Sequence, residues 1–157
     1  MIVENTLAPD FLLQIDQDNY VTLKDYLGKY LILYFYPKDN TAGCTLEAQD
    51  FASLNARFNQ LNAVIVGVSP DNIKSHHNFK TSQCLPFNLA SDFDLNASKS
   101  YECWVEKSMY GKKYMGIERS SFLIDPNGII RKIWRKVSVK NHASQVLQDL
   151  TNIQLKE

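Results

Sequence analysis

The sequence predicts an α/β fold, with a central mixed sheet covered by helices on both faces and an N-terminal β-hairpin. Three observations carry this expectation. Two near-continuous apolar runs, YLILYFY at 30–36 and AVIVGVS at 63–69, have the composition of strands covered on both sides. Between them Phe51, Leu54, Phe58 and Leu61 recur at three- and four-residue steps, which puts them on one face of a helix that starts near Cys44. Towards the C-terminus the strand-like runs Ser120 to Ile124 and Ile129 to Lys136 are separated by Asp125, Pro126, Asn127 and Gly128, an order that suits a type I turn closing a hairpin.

The remaining elements follow in order. FLLQI at 11–15 and YVTL at 20–23 read as the opening hairpin, with Asp16, Asp18 and Asn19 supplying turn chemistry. YLILYFY is bounded by Gly28 and Pro37 and reads as a central strand. After AVIVGVS, the order Ser69, Pro70, Asp71 reads as an N-cap, a first-turn proline and a first-turn acid of a second helix. LPFNLASD at 85–92 holds a short strand and FDLNASKSYECW a short helix, while the apolar positions 143, 146, 147, 150 and 153 predict a terminal helix over 141–155. No repeat, low-complexity tract or linker interrupts the chain, so residues 1–157 are expected to form one domain of thioredoxin-like α/β type.

Composition narrows the function. Lysine plus arginine and aspartate plus glutamate both number 17, which leaves no net field to attract nucleic acid or an anionic membrane surface. The N-terminus, MIVENTLAPDF, lacks a basic region followed by an apolar run, and no stretch approaches the ~20 apolar residues of a membrane span, so a cytoplasmic protein is expected. Cys44, Cys84 and Cys103 are odd in number, widely spaced and without a CxxC pair, which predicts reduced thiols rather than a disulfide framework.

Cys44 has the environment of a reactive thiol. A free cysteine titrates near about 8.5, so the nucleophilic thiolate needs help to form at neutral pH. Cys44 falls where a buried strand ends, a loop turns and a helix begins, so unpaired amide N–H groups and the positive end of the helix dipole face its sulfur. Thr41 lies three residues earlier with a hydroxyl able to donate to a thiolate, Gly43 permits close backbone approach, and Pro37 fixes the chain and shields the sulfur from water. Glu47, one turn on, is placed to hold a neighbouring arginine or threonine. Spacing alone fits two readings equally: this one, and a plain turn and cap with Cys44 packed beneath it.

The segment FYPKDNTAGCTLEAQDF at 35–51 resembles the active-site signature of the peroxiredoxins, P-x-x-x-T-x-x-C, here Pro37, Thr41 and Cys44. It is most similar to the bacterioferritin-comigratory, or Q-type, branch, and APDFLLQ at 8–14, GVSPDNIKSHHNF at 67–79, LPFNLASD at 85–92, EKSMYGKKYMGIERSSFLIDPNG at 106–128 and WRKV at 134–137 extend the likeness over nearly the whole chain. The resemblance implies a thiol peroxidase acting on hydrogen peroxide and organic hydroperoxides. Cys44 becomes the peroxidatic nucleophile, Thr41 the hydroxyl that holds the peroxide, and Pro37 the shield. Arg119, in GIERSSF, becomes the guanidinium that favours the thiolate and stabilises charge along the breaking O–O bond, with Glu47 as its support. It further implies a sulfenic acid intermediate, no cofactor, no metal, recycling by thioredoxin or another dithiol, and a monomer.

Two departures stand out. Ala42 replaces the branch's usual proline before Gly43, and Gln49 occupies the position where many members carry a second, resolving cysteine on the same helix. Other members resolve from a later helix at a position near Lys80, one turn before Cys84. The expectation is therefore a one-cysteine cycle, with Cys84 as the candidate resolving residue and Cys103 as a packed thiol. Two rival functions remain: a thiol–disulfide exchanger, which usually needs the missing CxxC partner, and a binding module without activity. The adjacent His76 and His77 project about 100° apart on a helix and read as surface residues, not joint metal ligands. Trp104, Met109, Tyr110, Tyr114 and Met115 read as core residues among solvated lysines.

Overall fold

The computed structural model describes residues 1–157. A short hairpin opens the chain: β1 (Leu12–Gln14) pairs antiparallel with β2 (Tyr20–Thr22), and Asp16 closes it by accepting from the backbone of Asp18 and Asn19. After a 3-10 turn, β3 (Tyr30–Phe35) runs through the protein with every residue buried, as its unbroken apolar composition requires. It leads through a loop into α1 (Ala42–Gln60), then β4 (Ala63–Ser69), α2 (Ile73–Ser82), β5 (Asn88–Ser91) and α3 (Asn96–Ser100). A second hairpin, β6 (Trp104–Met109) and β7 (Lys112–Ile117), precedes β8 (Ser120–Ile124), β9 (Ile130–Trp134) and α4 (His142–Leu155).

Seven strands form one sheet in the order β2-β1-β5-β4-β3-β8-β9. β3, β4 and β5 are parallel through crossovers that include α1 and α2, whereas β8 returns antiparallel beside β3. Alternation along β3 sorts its side chains between two cores. Tyr30, Ile32 and Tyr34 join Phe51 and Phe58 of α1, Phe79 of α2 and Val146 and Leu150 of α4 on one face. Leu31, Leu33 and Phe35 join Leu13, Val68, Phe122 and Ala97 of α3 on the other. The mixed sheet, helices on both faces and N-terminal hairpin agree with the sequence expectation.

Two local expectations are corrected. The cap of α2 is Asn72, whose side chain accepts from the Ser75 amide at 2.9 Å, not Ser69. Ser69 is the last residue of β4, and its hydroxyl donates to Asp71 instead. The core reading fails for four residues and holds in part for Trp104: β6 and β7 make a separate two-stranded ribbon on which Met109, Tyr110, Tyr114 and Met115 are exposed, whereas Trp104 is half-buried against the core beside Ile117. The ribbon turns at Tyr110 and Gly111, both at positive φ, the geometry that matches the right-handed twist of paired strands.

The floor beneath the Cys44 loop depends on a missing side chain. Tyr34 stacks on Phe51 with ring centroids 4.8 Å apart, and its register partner across the sheet is Gly67. A Cβ on Gly67 would lie 2.7 Å from Tyr34 Cζ and 2.9 Å from Leu89 Cδ2, closer than carbon atoms pack. Gly67→Ala is therefore expected to destabilise the protein by about 1–3 kcal/mol through overpacking. A denaturation midpoint equal to that of the parent would show that Tyr34 can move aside.

Candidate active site

The end of β3 and the start of α1 hold Cys44. Thr41 is the N-cap of α1 with extended backbone angles, and the first intrahelical bond runs from the Thr45 amide to the Thr41 carbonyl at 2.9 Å. The amides of Ala42, Gly43 and Cys44 thus lie in the first turn, where no helix carbonyl can accept from them. Cys44 itself is buried, 2% exposed, so its sulfur meets this positive helix end in a nearly dry setting.

Arg119, in the short link between β7 and β8, reaches this point from the opposite side of the sequence. Its Nη2 lies 3.3 Å from Cys44 Sγ, and its Nη1 donates to Glu47 Oε1 at 2.6 Å. The Arg119 carbonyl accepts from the Val137 amide at 3.0 Å, which fixes the backbone from which the guanidinium projects. Gly43 makes room for it, because a Cβ there would stand 3.3 Å from Nη2. Glu47 is 1% exposed, and its second oxygen, Oε2, has no partner. Burial pushes its carboxyl up to about 7, against the opposing pull of Arg119.

Of the residues singled out from the sequence, Cys44, Glu47 and Arg119 are in direct contact. Thr41 is exposed, and its hydroxyl donates to the Lys38 carbonyl at 2.8 Å, so its proton is committed there and its lone pairs are left free to accept. Pro37 is half-buried directly after β3. Cys84 lies outside this cluster, exposed just past the end of α2 and in a left-handed conformation, φ 53°. Gln49 Nε2 donates to Gln83 Oε1 at 2.7 Å, so the α1 position where many members of the branch carry a resolving cysteine abuts the neighbour of Cys84. Cys103 is buried, and burial pushes its thiol up to about 12.

The surface reading of the histidines holds for His77 and fails for His76. His76 is 2% exposed, with Nδ1 2.8 Å from Asp39 Oδ2 and Nε2 3.1 Å from the Ala90 carbonyl oxygen. Its spacing of three from Phe79, which is fully buried, was the signal in the sequence: both lie on the inward face of α2. Asp39, Asp71 and His76 bring potential ligand atoms within 4.8 Å of one another. Protein donors already occupy them: Asp71 Oδ2 accepts from the Asp39 amide and the Ser69 hydroxyl, and Asp39 from Tyr36, Ser75 and His76.

Comparison with known proteins agrees with this chemistry. Residues 5–133 match the family model for the AhpC/TSA family. Peroxiredoxin Bcp of Bacillus subtilis is 49% identical over 146 residues, covering 93% of each chain. A solved cysteine-to-serine variant of Xanthomonas campestris peroxiredoxin Q superposes with a TM-score of 0.89 at 40% identity, over 94% of this chain and 98% of that one. The Xanthomonas campestris bacterioferritin comigratory protein, studied for its alkyl peroxide reduction activity, gives a TM-score of 0.86 at 43% identity over 90% of each chain. The chain therefore belongs to the AhpC/TSA family, in the Bcp or Q-type branch of the peroxiredoxins, which are cysteine-based thiol peroxidases of thioredoxin-like fold.

Proposed function

We propose that Cys44 is the peroxidatic nucleophile and that residues 1–157 work as one catalytic domain. The observation that carries this reading is the 3.3 Å contact between Arg119 Nη2 and Cys44 Sγ at the first turn of α1. The thiolate attacks the terminal oxygen of a hydroperoxide, the S–O bond forms as the O–O bond breaks, and the departing oxygen takes a proton to leave as water or an alcohol. Arg119 stabilises the charge that passes from sulfur to the leaving oxygen. Thr41, whose hydroxyl proton faces Lys38, receives the O–H of the hydroperoxide on its free lone pairs. Pro37 limits water at the sulfur, and Glu47 aims the guanidinium.

Substrates are hydrogen peroxide and organic hydroperoxides, the latter supported by the alkyl peroxide reduction of the Xanthomonas relative. The sulfenic acid returns to thiol through thioredoxin or another dithiol, and the protein acts as a cytoplasmic monomer. No helix is long and apolar enough to cross a membrane. Three cysteines without a disulfide suit a reducing compartment.

Stopped-flow mixing of the reduced protein with stoichiometric hydrogen peroxide tests the assignment. Cys44→Ser is expected to abolish turnover, and Arg119→Ala to lower both the thiolate fraction of Cys44 and the rate constant, the latter by about 100-fold or more. Substantial turnover in Cys44→Ser, or an unchanged rate in Arg119→Ala, overturns the corresponding role.

The fate of the sulfenic acid is tested by mass spectrometry after one equivalent of peroxide. A one-cysteine cycle predicts a dimedone adduct at Cys44. A Cys44–Cys84 cross-link would instead make Cys84 the resolving residue, through local rearrangement that brings the two Cα atoms within about 7 Å.

Glu47 sets a pH dependence. The folded protein holds this proton up to about pH 7, whereas the reference carboxyl titrates near 4.5, so the folded state binds more protons between those values. Stability therefore falls as pH rises through that window. Glu47→Gln is expected to shrink the stability difference between about pH 5 and about pH 8 by about 1–3 kcal/mol in denaturant titrations. An unaltered slope would mean that Glu47 ionises freely where it is.

A further inference from the structure

Five residues before Cys44, the loop carries a second buried charge centre that the peroxide chemistry above does not use. Asp39 is 4% exposed, and each side-chain group that meets its carboxylate is a donor. Tyr36 Oη donates to Oδ1 at 2.6 Å, and Ser75 Oγ to Oδ2 at 2.7 Å. His76 Nδ1 faces the same Oδ2 at 2.8 Å. Burial works against this charge, but His76, Tyr36 and Ser75 outweigh it and hold the Asp39 carboxyl below its ordinary value.

Both ring nitrogens of His76 have partners. Its Nε2 lies 3.1 Å from the Ala90 carbonyl oxygen, and its Nδ1 meets the Asp39 carboxylate. The pair is held out of contact with water. The backbone is tied as well: the Asp39 amide donates to Asp71 Oδ2 at 2.8 Å, and Ser69 Oγ donates to the same oxygen at 2.7 Å. One loop residue is thereby bound to the end of β3 through Tyr36, to α2 through Ser75 and His76, to the turn after β4 through Asp71, and to β5 through Ala90.

A buried cluster of polar and charged side chains is a poor device for stability alone, because apolar residues of similar size usually do as well. What it supplies is direction. The two carboxylate oxygens take donors from different elements, which fixes the plane of the side chain and the course of the backbone at residue 39. Asn40 then adopts φ 64°, Thr41 caps α1, and Cys44 follows in the first turn. The contact that this path delivers places Arg119 Nη2 3.3 Å from the sulfur, well within reach of an N–H···S hydrogen bond.

We infer that Asp39 and His76 are positioning residues of the peroxidase: a buried histidine–carboxylate clasp, fastened by Tyr36 and Ser75, that holds the 37–43 loop so that Cys44 meets Arg119. The inference rests on Cys44 being the reacting thiol. It differs from a stabilising role in that loss of the clasp alters the ionisation and reactivity of Cys44.

The test uses the full chain in a Cys84→Ser background, where Cys103 stays protonated because burial holds it near about 12 and Cys44 is the thiol that titrates. His76→Gln keeps an amide donor but cannot bridge Asp39 and Ala90 as the rigid ring does, and Tyr36→Phe deletes one donor while keeping the ring. Three readouts are taken: far-ultraviolet thiolate absorbance against pH, the rate constant with hydrogen peroxide, and amide hydrogen exchange of residues 37–44. His76→Gln is expected to lower the thiolate fraction at neutral pH, slow the reaction by about 10–100-fold and speed exchange in the loop. Tyr36→Phe is expected to move all three in the same direction by less.

If rate and thiolate fraction stay within about two-fold of the parent in both variants, whatever happens to stability, the clasp is structural and the inference falls. Should His76→Gln fail to fold, the combination of Tyr36→Phe with Ser75→Ala decides by the same criterion. The peroxidase assignment fails separately, through peroxide turnover that survives loss of Cys44, whereas thiolate absorbance and loop exchange report on the clasp with no peroxide present.

Discussion

One planar guanidinium joins two parts of the molecule that the chain keeps far apart, and the site follows from its geometry. Arg119 offers Nη1 to Glu47 and Nη2 to Cys44, so one rigid fork fixes both the direction of the charge and its distance from the sulfur. A lysine ammonium could satisfy either partner but would not hold the pair in register. The balance of charge matters as much as the geometry. Two anions around one cation would leave a net negative charge in a buried space, and burial holds Glu47 near about 7, so at neutral pH the glutamate is not fully ionised and the guanidinium is freer to serve the thiolate.

The fold builds the dry setting in which that balance operates. Tyr34 of β3 stacks on Phe51 of α1 at 4.8 Å, and Phe51 meets Phe58 further along the same helix at 6.1 Å. Glu47, one turn before Phe51, is 1% exposed, and its burial raises its proton affinity. Two glycines leave the necessary space: Gly67 under the Tyr34 ring and Gly43 beside the guanidinium. A side chain on Gly67 would collide with the Tyr34 ring, and one on Gly43 would crowd the guanidinium at 3.3 Å, so packing below and electrostatics above both constrain the loop.

The sheet was legible in the sequence because its central strands are covered on both faces and read as unbroken apolar runs. The β6–β7 ribbon was not. Its faces are half-exposed, and its turn uses Tyr110 where asparagine or aspartate would have announced a left-handed pair. The site divides in the same way. Pro37, Thr41, Cys44 and Glu47 lie within one loop and helix start, where spacing and dipole arguments apply, but Arg119 could be placed beside them only by likeness to a family. His76 was misread because adjacency to His77 suggested a surface pair, whereas the deciding fact is its partner Asp39, which no local pattern reveals.

The three thiols show what activates a cysteine here and what does not. Cys44 and Cys103 are equally hidden, and each has an arginine nearby, with Arg119 Nη2 at 3.3 Å from one sulfur and Arg135 Nη1 at 3.7 Å from the other. Burial pushes the Cys103 thiol up to about 12. The arginines differ in what remains of them: the same Nη1 of Arg135 already donates to the carbonyls of Tyr101 and Glu102 at 2.9 and 3.1 Å, whereas Nη2 of Arg119 meets only the sulfur. The backbones differ as well, because Cys103 lies between α3 and β6, where its amide already donates to the Ser98 carbonyl, while Cys44 sits in the first turn of a 19-residue helix whose amides are unspent. Donors held in reserve around the sulfur therefore distinguish Cys44 from Cys103, whereas proximity to a positive charge does not.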